Sequence, residues 1–135
     1  PELAGTTLTG ESFNLDSARG QWVLVNFFAT WCPPCVAEHP ELIKLNESTT
    51  STGLRVVSVA FDDSSANVEK FFADNGGDWP VLTQETGAVA LDYGVKGLPE
   101  SFLIDPAGTV VAKFEGGITA EALQRYVAES TAGAS

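Results

Sequence analysis

The chain has no methionine, one histidine and two cysteines among its 135 residues, and 7 basic side chains against 18 acidic ones. Each shortage excludes something. Two cysteines are too few for a disulfide framework or a four-sulfur zinc site. A formal charge of -11 counts against nucleic acid and anionic membrane surfaces, both of which select basic patches. No apolar run approaches the ~20 residues of a membrane-spanning helix. A nascent chain begins with Met, so the start at Pro1 leads us to expect that something precedes it in the full gene product: a signal peptide, a membrane anchor, or simply chain outside an arbitrary cut. What is present is ordinary for a globular protein: 44% apolar and 19% charged residues. The length predicts one domain, 1–135, with a core large enough to fold without a disulfide staple. We expect a monomer.

Periodicity and chain breakers give the order of elements. Gly5 and Gly10, around Leu8, Phe13 and Leu15, predict a short N-terminal hairpin. Gln21 to Ala29 (QWVLVNFFA) and Leu54 to Phe61 (LRVVSVAF) are near-continuous apolar runs, as in strands buried on both faces of a parallel sheet. Between them, Pro33 to about Glu47 reads as a helix, with Pro40 inside it expected to kink it. Ser64 or Ser65 can cap a helix carrying Val68, Phe71 and Phe72 on one face, stopped by Asn75-Gly76-Gly77. A short strand at Val81-Leu82 and a short helix from Ala88 to Tyr93, ended by Gly94, follow. Ser101 to Ile104, a turn at Asp105-Pro106-Ala107-Gly108, and Thr109 to Phe114 read as an antiparallel pair. Thr119 can cap a last helix with Leu123, Tyr126 and Val127 on one face, and Ser130 to Ser135 is expected to fray. Strands alternating with helices predict an α/β fold with a parallel core, two added antiparallel strands and helices on both faces.

The chemistry concentrates in Trp31-Cys32-Pro33-Pro34-Cys35, which leaves a buried strand and opens a helix. A thiolate is the reactive form of cysteine, and a helix N-terminus favours an anion. Cys32 is expected at that terminus, exposed, with Cys35 in the first turn and close enough to form a disulfide with it. One thiol attacks a partner disulfide and the second resolves the mixed disulfide. Pro33 and Pro34 suit the first helical turn, but they remove two amides that would stabilise a Cys32 thiolate. The competing readings are a zinc half-site extended by His39, which still supplies only three ligands, and a merely structural disulfide, whose tiny loop stabilises little.

VNFFATWCPPC resembles the active-site segment of the thioredoxin superfamily, and in particular its extracytoplasmic TlpA/ResA/DsbE (CcmG)-type thiol-disulfide oxidoreductases. The runs CVAEHP, YGVKGLPE and SFLID extend the likeness over nearly the whole chain, from Leu3 to about Val127. The resemblance implies a thioredoxin-like fold: a central mixed β-sheet flanked by helices, an N-terminal β-hairpin, and a central insertion between Phe61 and Tyr93. It implies Cys32 as nucleophile and Cys35 as resolving thiol. It assigns Pro99 the family's cis-proline, lying against the cysteines, and Leu98 a backbone that pairs with an extended substrate segment. Trp31, with Pro33 and Pro34, would flank the thiol and contact the partner, core packing being the other reading of Trp31. Trp22 and Trp79 are assigned to packing.

Glu38 lies three residues past Cys35 and so shares its helix face. It matches an acidic residue of the family and is expected to accept the Cys35 proton with a pKa raised by partial burial. Asn26 stands where thioredoxins proper carry a buried Asp, which strengthens the case for Glu38. His39 is expected on the polar surface of its helix. The implied function is reduction of specific protein disulfides outside the cytoplasm, apocytochrome c among them, with electrons from a membrane thiol-disulfide donor. No metal and no prosthetic group is implied beyond the cysteines themselves. The alternatives are a disulfide-donating oxidase and a non-catalytic metal-binding assembly factor.

Overall fold

The computed structural model describes residues 2–133. Two short strands, β1 (Ala4–Thr6) and β2 (Ser12–Asn14), pair antiparallel into the expected hairpin. A turn of 3-10 helix over Leu15–Ala18 leads into β3 (Trp22–Phe28). Helix α1 (Pro33–Glu47) and a short α2 (Thr49–Thr52) connect β3 to β4 (Leu54–Ala60). Helix α3 (Ser65–Asn75), β5 (Val81–Leu82) and α4 (Thr86–Tyr93) form the central stretch. Strands β6 (Glu100–Ile104) and β7 (Val110–Glu115) and helix α5 (Ala120–Gly133) complete the chain. Ser64 is the residue that caps α3, its hydroxyl accepting from Asn67 N. Gly94 ends α4 at φ 72, a left-handed position that glycine occupies without the steric cost of a Cβ.

The main sheet has the order β5-β4-β3-β6-β7. Its β3–β4 and β4–β5 pairs are parallel, and β6 and β7 join antiparallel. Every residue of β3 from Val23 to Phe28 is buried, as a central strand covered on both faces must be. Leu24 and Phe28 face one core with Leu42 and Leu45 of α1, Val68 of α3 and Leu123 and Val127 of α5. Val23, Val25 and Phe27 face the other, filled by Leu3, Phe13 and Leu15 near the hairpin and by Ala90 and Tyr93 of α4. So α1, α3 and α5 contribute to one face, while the second is covered by the hairpin segment and α4.

One expectation is corrected. The C-terminal tail is helical through Gly133 rather than frayed from Ser130; Ala134 and Ser135 lie outside the described residues. Helix α1 runs through Pro40 as one element. Proline there removes the donor that would meet the Val36 carbonyl and crowds that carbonyl with its ring.

Candidate functional site

Strand β3 ends at Phe28, and four residues later Cys32 becomes the N-cap of α1, with extended backbone and its sulfur accepting from Cys35 N at 3.3 Å. Pro33 and Pro34 occupy the first two helical positions. Neither has an N–H, so Cys35 supplies the first amide the helix can offer. Cys32 and Cys35 are joined in a disulfide, their Cα atoms 5.2 Å apart. The expected exposure of Cys32 is corrected: in this oxidised form each cysteine is 4% exposed. Leu98 packs against the buried cluster that contains both residues. What the surface presents is the frame around the pair. Trp31 is 57% exposed, and Pro33 and Pro34 are exposed beside it.

Pro99 follows a cis peptide bond from Leu98. The backbone around this bond is tied down on both sides. Gly116 N donates to the Pro99 carbonyl at 2.9 Å. Ahead of it, Lys96 N and Gly97 N donate to Glu100 Oε2 at 2.9 and 2.8 Å. Glu100 is buried, and its other oxygen lies 3.3 Å from Lys113 Nζ in an ion pair whose angles are not those of a hydrogen bond.

Glu38 sits on the inner side of α1, 4% exposed. Its Oε1 accepts from Asn26 Nδ2 at 2.9 Å and its Oε2 from Ile118 N at 2.9 Å. Burial raises the carboxyl to about 7; the Ile118 and Asn26 hydrogen bonds pull the other way but do not overcome it. Asn26 is the centre of a polar row across three strands. Register places Ser58 of β4 on one side of it and Ser101 of β6 on the other. Asn26 Nδ2 also donates to Ser101 Oγ at 3.1 Å, and Trp79 Nε1 donates to Ser58 Oγ at 2.8 Å. These groups satisfy one another inside the core, as buried polar atoms must. Trp79 is therefore a packed and anchored residue, and Trp22 is partly buried against the same core.

His39 is corrected most. It is 4% exposed rather than on the surface. Its Nε2 lies 2.7 Å from the Gly76 carbonyl, and its ring packs against Phe71, Phe72 and Trp79. The end of α3 and the segment leading to β5 fold over this side of α1, so a position that looked polar in the sequence is interior. Burial lowers the pKa of His39, with the Gly76 contact opposing it. Among the described residues no group of three or more His, Cys, Asp or Glu side chains is placed to hold a metal ion.

Sequence reasoning missed the loop that follows β4. Asp63 Oδ2 accepts from Thr30 N at 2.7 Å and from Thr30 Oγ1 at 2.6 Å, and its Oδ1 accepts from Ser64 N at 2.9 Å. Burial would raise this carboxyl, but the Thr30 hydroxyl and amide, with the Ser64 amide and the Asn67 side chain, hold it below its ordinary value. Trp31 Nε1 donates to the Asp62 carbonyl at 2.8 Å. The only hint in the sequence is the Asp-Asp-Ser-Ser run after a buried strand, where loops of open α/β sheets converge on sites.

The Redoxin family model matches residues 1–130. A thiol-disulfide oxidoreductase ResA of Bacillus thuringiensis is 32% identical over 131 residues, 97% of this chain and 76% of that protein. A thiol:disulfide interchange protein DsbE of Haemophilus influenzae is 37% identical over 83% of this chain and 58% of its own length. The crystal structure of a thioredoxin-family thiol:disulfide interchange protein from Chlorobium tepidum superimposes with a TM-score of 0.86 at 30% identity, over 96% of this chain and 92% of that one. With a cysteine pair at the start of α1, a cis-proline and a mixed five-stranded sheet all in place, the chain belongs to the Redoxin family and is a thioredoxin-fold thiol-disulfide oxidoreductase of the ResA and DsbE kind.

Proposed function

We propose that this chain works outside the cytoplasm as a reductant of specific protein disulfides, with apocytochrome c or a related maturation partner as target and a membrane thiol-disulfide protein as electron donor. One observation carries the direction of transfer. Cys32 Sγ has a single backbone donor, Cys35 N, because Pro33 and Pro34 have none. A thiolate with few donors is poorly stabilised, which favours the disulfide form of the pair and makes its dithiol a better reductant. The placement and partner rest on the likeness to ResA and DsbE.

The steps balance on the chain's own residues. The Cys32 thiolate attacks one sulfur of the partner, forming a mixed disulfide and expelling the other sulfur as thiolate. Cys35, whose proton passes to Glu38, then attacks Cys32 Sγ. The partner leaves with two electrons and the Cys32–Cys35 disulfide remains. Glu38 suits the proton transfer, since an acceptor with a pKa of about 7 is matched to neutral pH. Leu98 and Pro99 would align an extended partner segment, and Trp31, Pro33 and Pro34 would contact its flanks. The cysteine pair holds the electrons, so the reaction needs no prosthetic group.

The test is the equilibrium reduction potential of the pair against glutathione or dithiothreitol redox buffers. A value at or below that of thioredoxin, ~-270 mV, is expected. A value near those of dedicated oxidants, ~-120 mV, would replace the reductant with the disulfide donor. Trapping a mixed disulfide on Cys35→Ser identifies the partner.

A further inference from the structure

We propose that Asp63 is a positioning residue for partner engagement: it clamps Thr30 and, with the Asp62 carbonyl, fixes the Trp31 indole as a rigid contact beside the cysteine pair. The inference rests on reading that pair as the point where a protein disulfide is met.

Past Ala29, which is packed in the core, the segment to Trp31 has little backbone support of its own. It lies between β3 and α1, and the one backbone bond of its turn is the long Cys32 N to Ala29 O contact of 3.3 Å. The helix it leads into cannot brace it, because Pro33 and Pro34 have no amides to offer. Asp63 supplies the missing constraint. Both donors of Thr30 converge on one carboxylate oxygen, and the second oxygen is held by Ser64 N. An anionic acceptor makes short, strong hydrogen bonds of this kind. Asp62 takes φ 50, a left-handed conformation uncommon for a residue with a side chain. Its carbonyl accepts the Trp31 indole N–H at 2.8 Å. The indole is thus held at its polar atom while the residue stays 57% exposed. A large apolar surface fixed in one orientation binds at lower entropic cost than a mobile one.

The test compares Asp63→Ala, Asp63→Asn and Trp31→Phe with the unaltered chain, using insulin as a protein disulfide and oxidised glutathione as a small one. For Asp63→Ala we expect KM for insulin to rise about tenfold with kcat within about twofold, the signature of lost binding rather than lost chemistry. Glutathione kinetics and the reduction potential should not move. Asp63→Asn keeps one acceptor for Thr30 and should give a smaller rise. In the Trp31→Phe background, Asp63→Ala should add less than about twofold, because the two act through one contact. Should Asp63→Ala not fold, Asp63→Asn in the two backgrounds carries the same comparison. Equal effects of Ala and Asn that vanish at high salt would mean charge steering and overturn the proposal. So would equal losses on both substrates, or full additivity with Trp31→Phe. Hydrogen exchange of the indole N–H groups is read separately from turnover. Loss of Trp31 protection in Asp63→Ala, with Trp79 still protected, supports the clamp, and retention overturns it. The reductase reading stands or falls on the reduction potential of the pair, and the exchange result judges the clamp whether or not the unaltered chain turns over insulin.

Discussion

Glu38 shows how a single residue couples folding to chemistry. A carboxyl in an apolar core either finds donors or stays protonated. Glu38 finds two N–H groups and no cation, and its pKa settles at about 7 instead of 4.5. The sign follows. Well below pH 4.5 the carboxyl is protonated in both folded and unfolded chains. As pH rises towards 7 the unfolded chain ionises first, so the folded state loses up to roughly 3 kcal/mol by pH 8. Glu38→Gln should remove that slope: its carbonyl can accept from Ile118 N, and its amide can donate to Asn26 once the Asn26 amide turns over. Denaturant titrations at pH 5 and pH 8 would show the unaltered chain losing roughly 2 kcal/mol more than the variant. The variant should also attack its mixed disulfide more slowly and with a flatter profile between pH 6 and 9; unchanged kinetics would take Glu38 out of the proton path. The sequence exposed Glu38 because its spacing from Cys35 is local. It hid His39 and Asp63, whose hydrogen-bond partners lie 37 and 33 positions away. No pattern within one helix or one loop encodes such distant pairings.

At the scale of elements, the same division holds. Strands β3 and β4 were legible because residues buried on both faces must be apolar throughout, and α3 because Ser64 caps it and Asn75-Gly76-Gly77 stops it. Helix α2 was not, since four residues of Thr and Ser have no apolar period; it is held by hydroxyl bonds such as Thr49 Oγ1 to Leu54 O. The N-terminus of α1 carries the sharpest prediction. Pro34 stands at the second helical position, where an N–H would reach the N-cap sulfur. Pro34→Ala should supply that donor, lower the Cys32 pKa and raise the reduction potential. One charge-assisted bond of ~1.5 kcal/mol corresponds to about 30 mV for a two-electron couple. Thiol alkylation against pH and redox-buffer equilibration measure the two shifts. If neither moves, donor count at this helix start does not set the potential, and the basis for the reducing direction goes with it.

For the whole molecule, the fold gathers its chemistry at one end of the parallel strands. The segments leaving β3 and β4 carry the cysteine pair and the Asp62-Asp63 loop, and the antiparallel β6 delivers the cis-proline from the other side. Around this end spreads a surface shaped by the charge of -11. Of the acidic side chains, Glu38 and Glu100 are buried and belong to the interior networks. The others lie at or near the surface, where their field acts over about 8 Å at physiological ionic strength. A field of one sign speeds encounter with a basic partner and does little for a neutral one. The association rate with a lysine-rich protein disulfide should therefore fall about tenfold between 50 and 500 mM salt, while the rate with a small uncharged disulfide stays flat. Stopped-flow tryptophan fluorescence can follow both reactions. Equal salt response would assign the charge to solubility alone. A response confined to the basic protein would mean that the acidic surface selects partners before Trp31 and the cis-proline segment touch them.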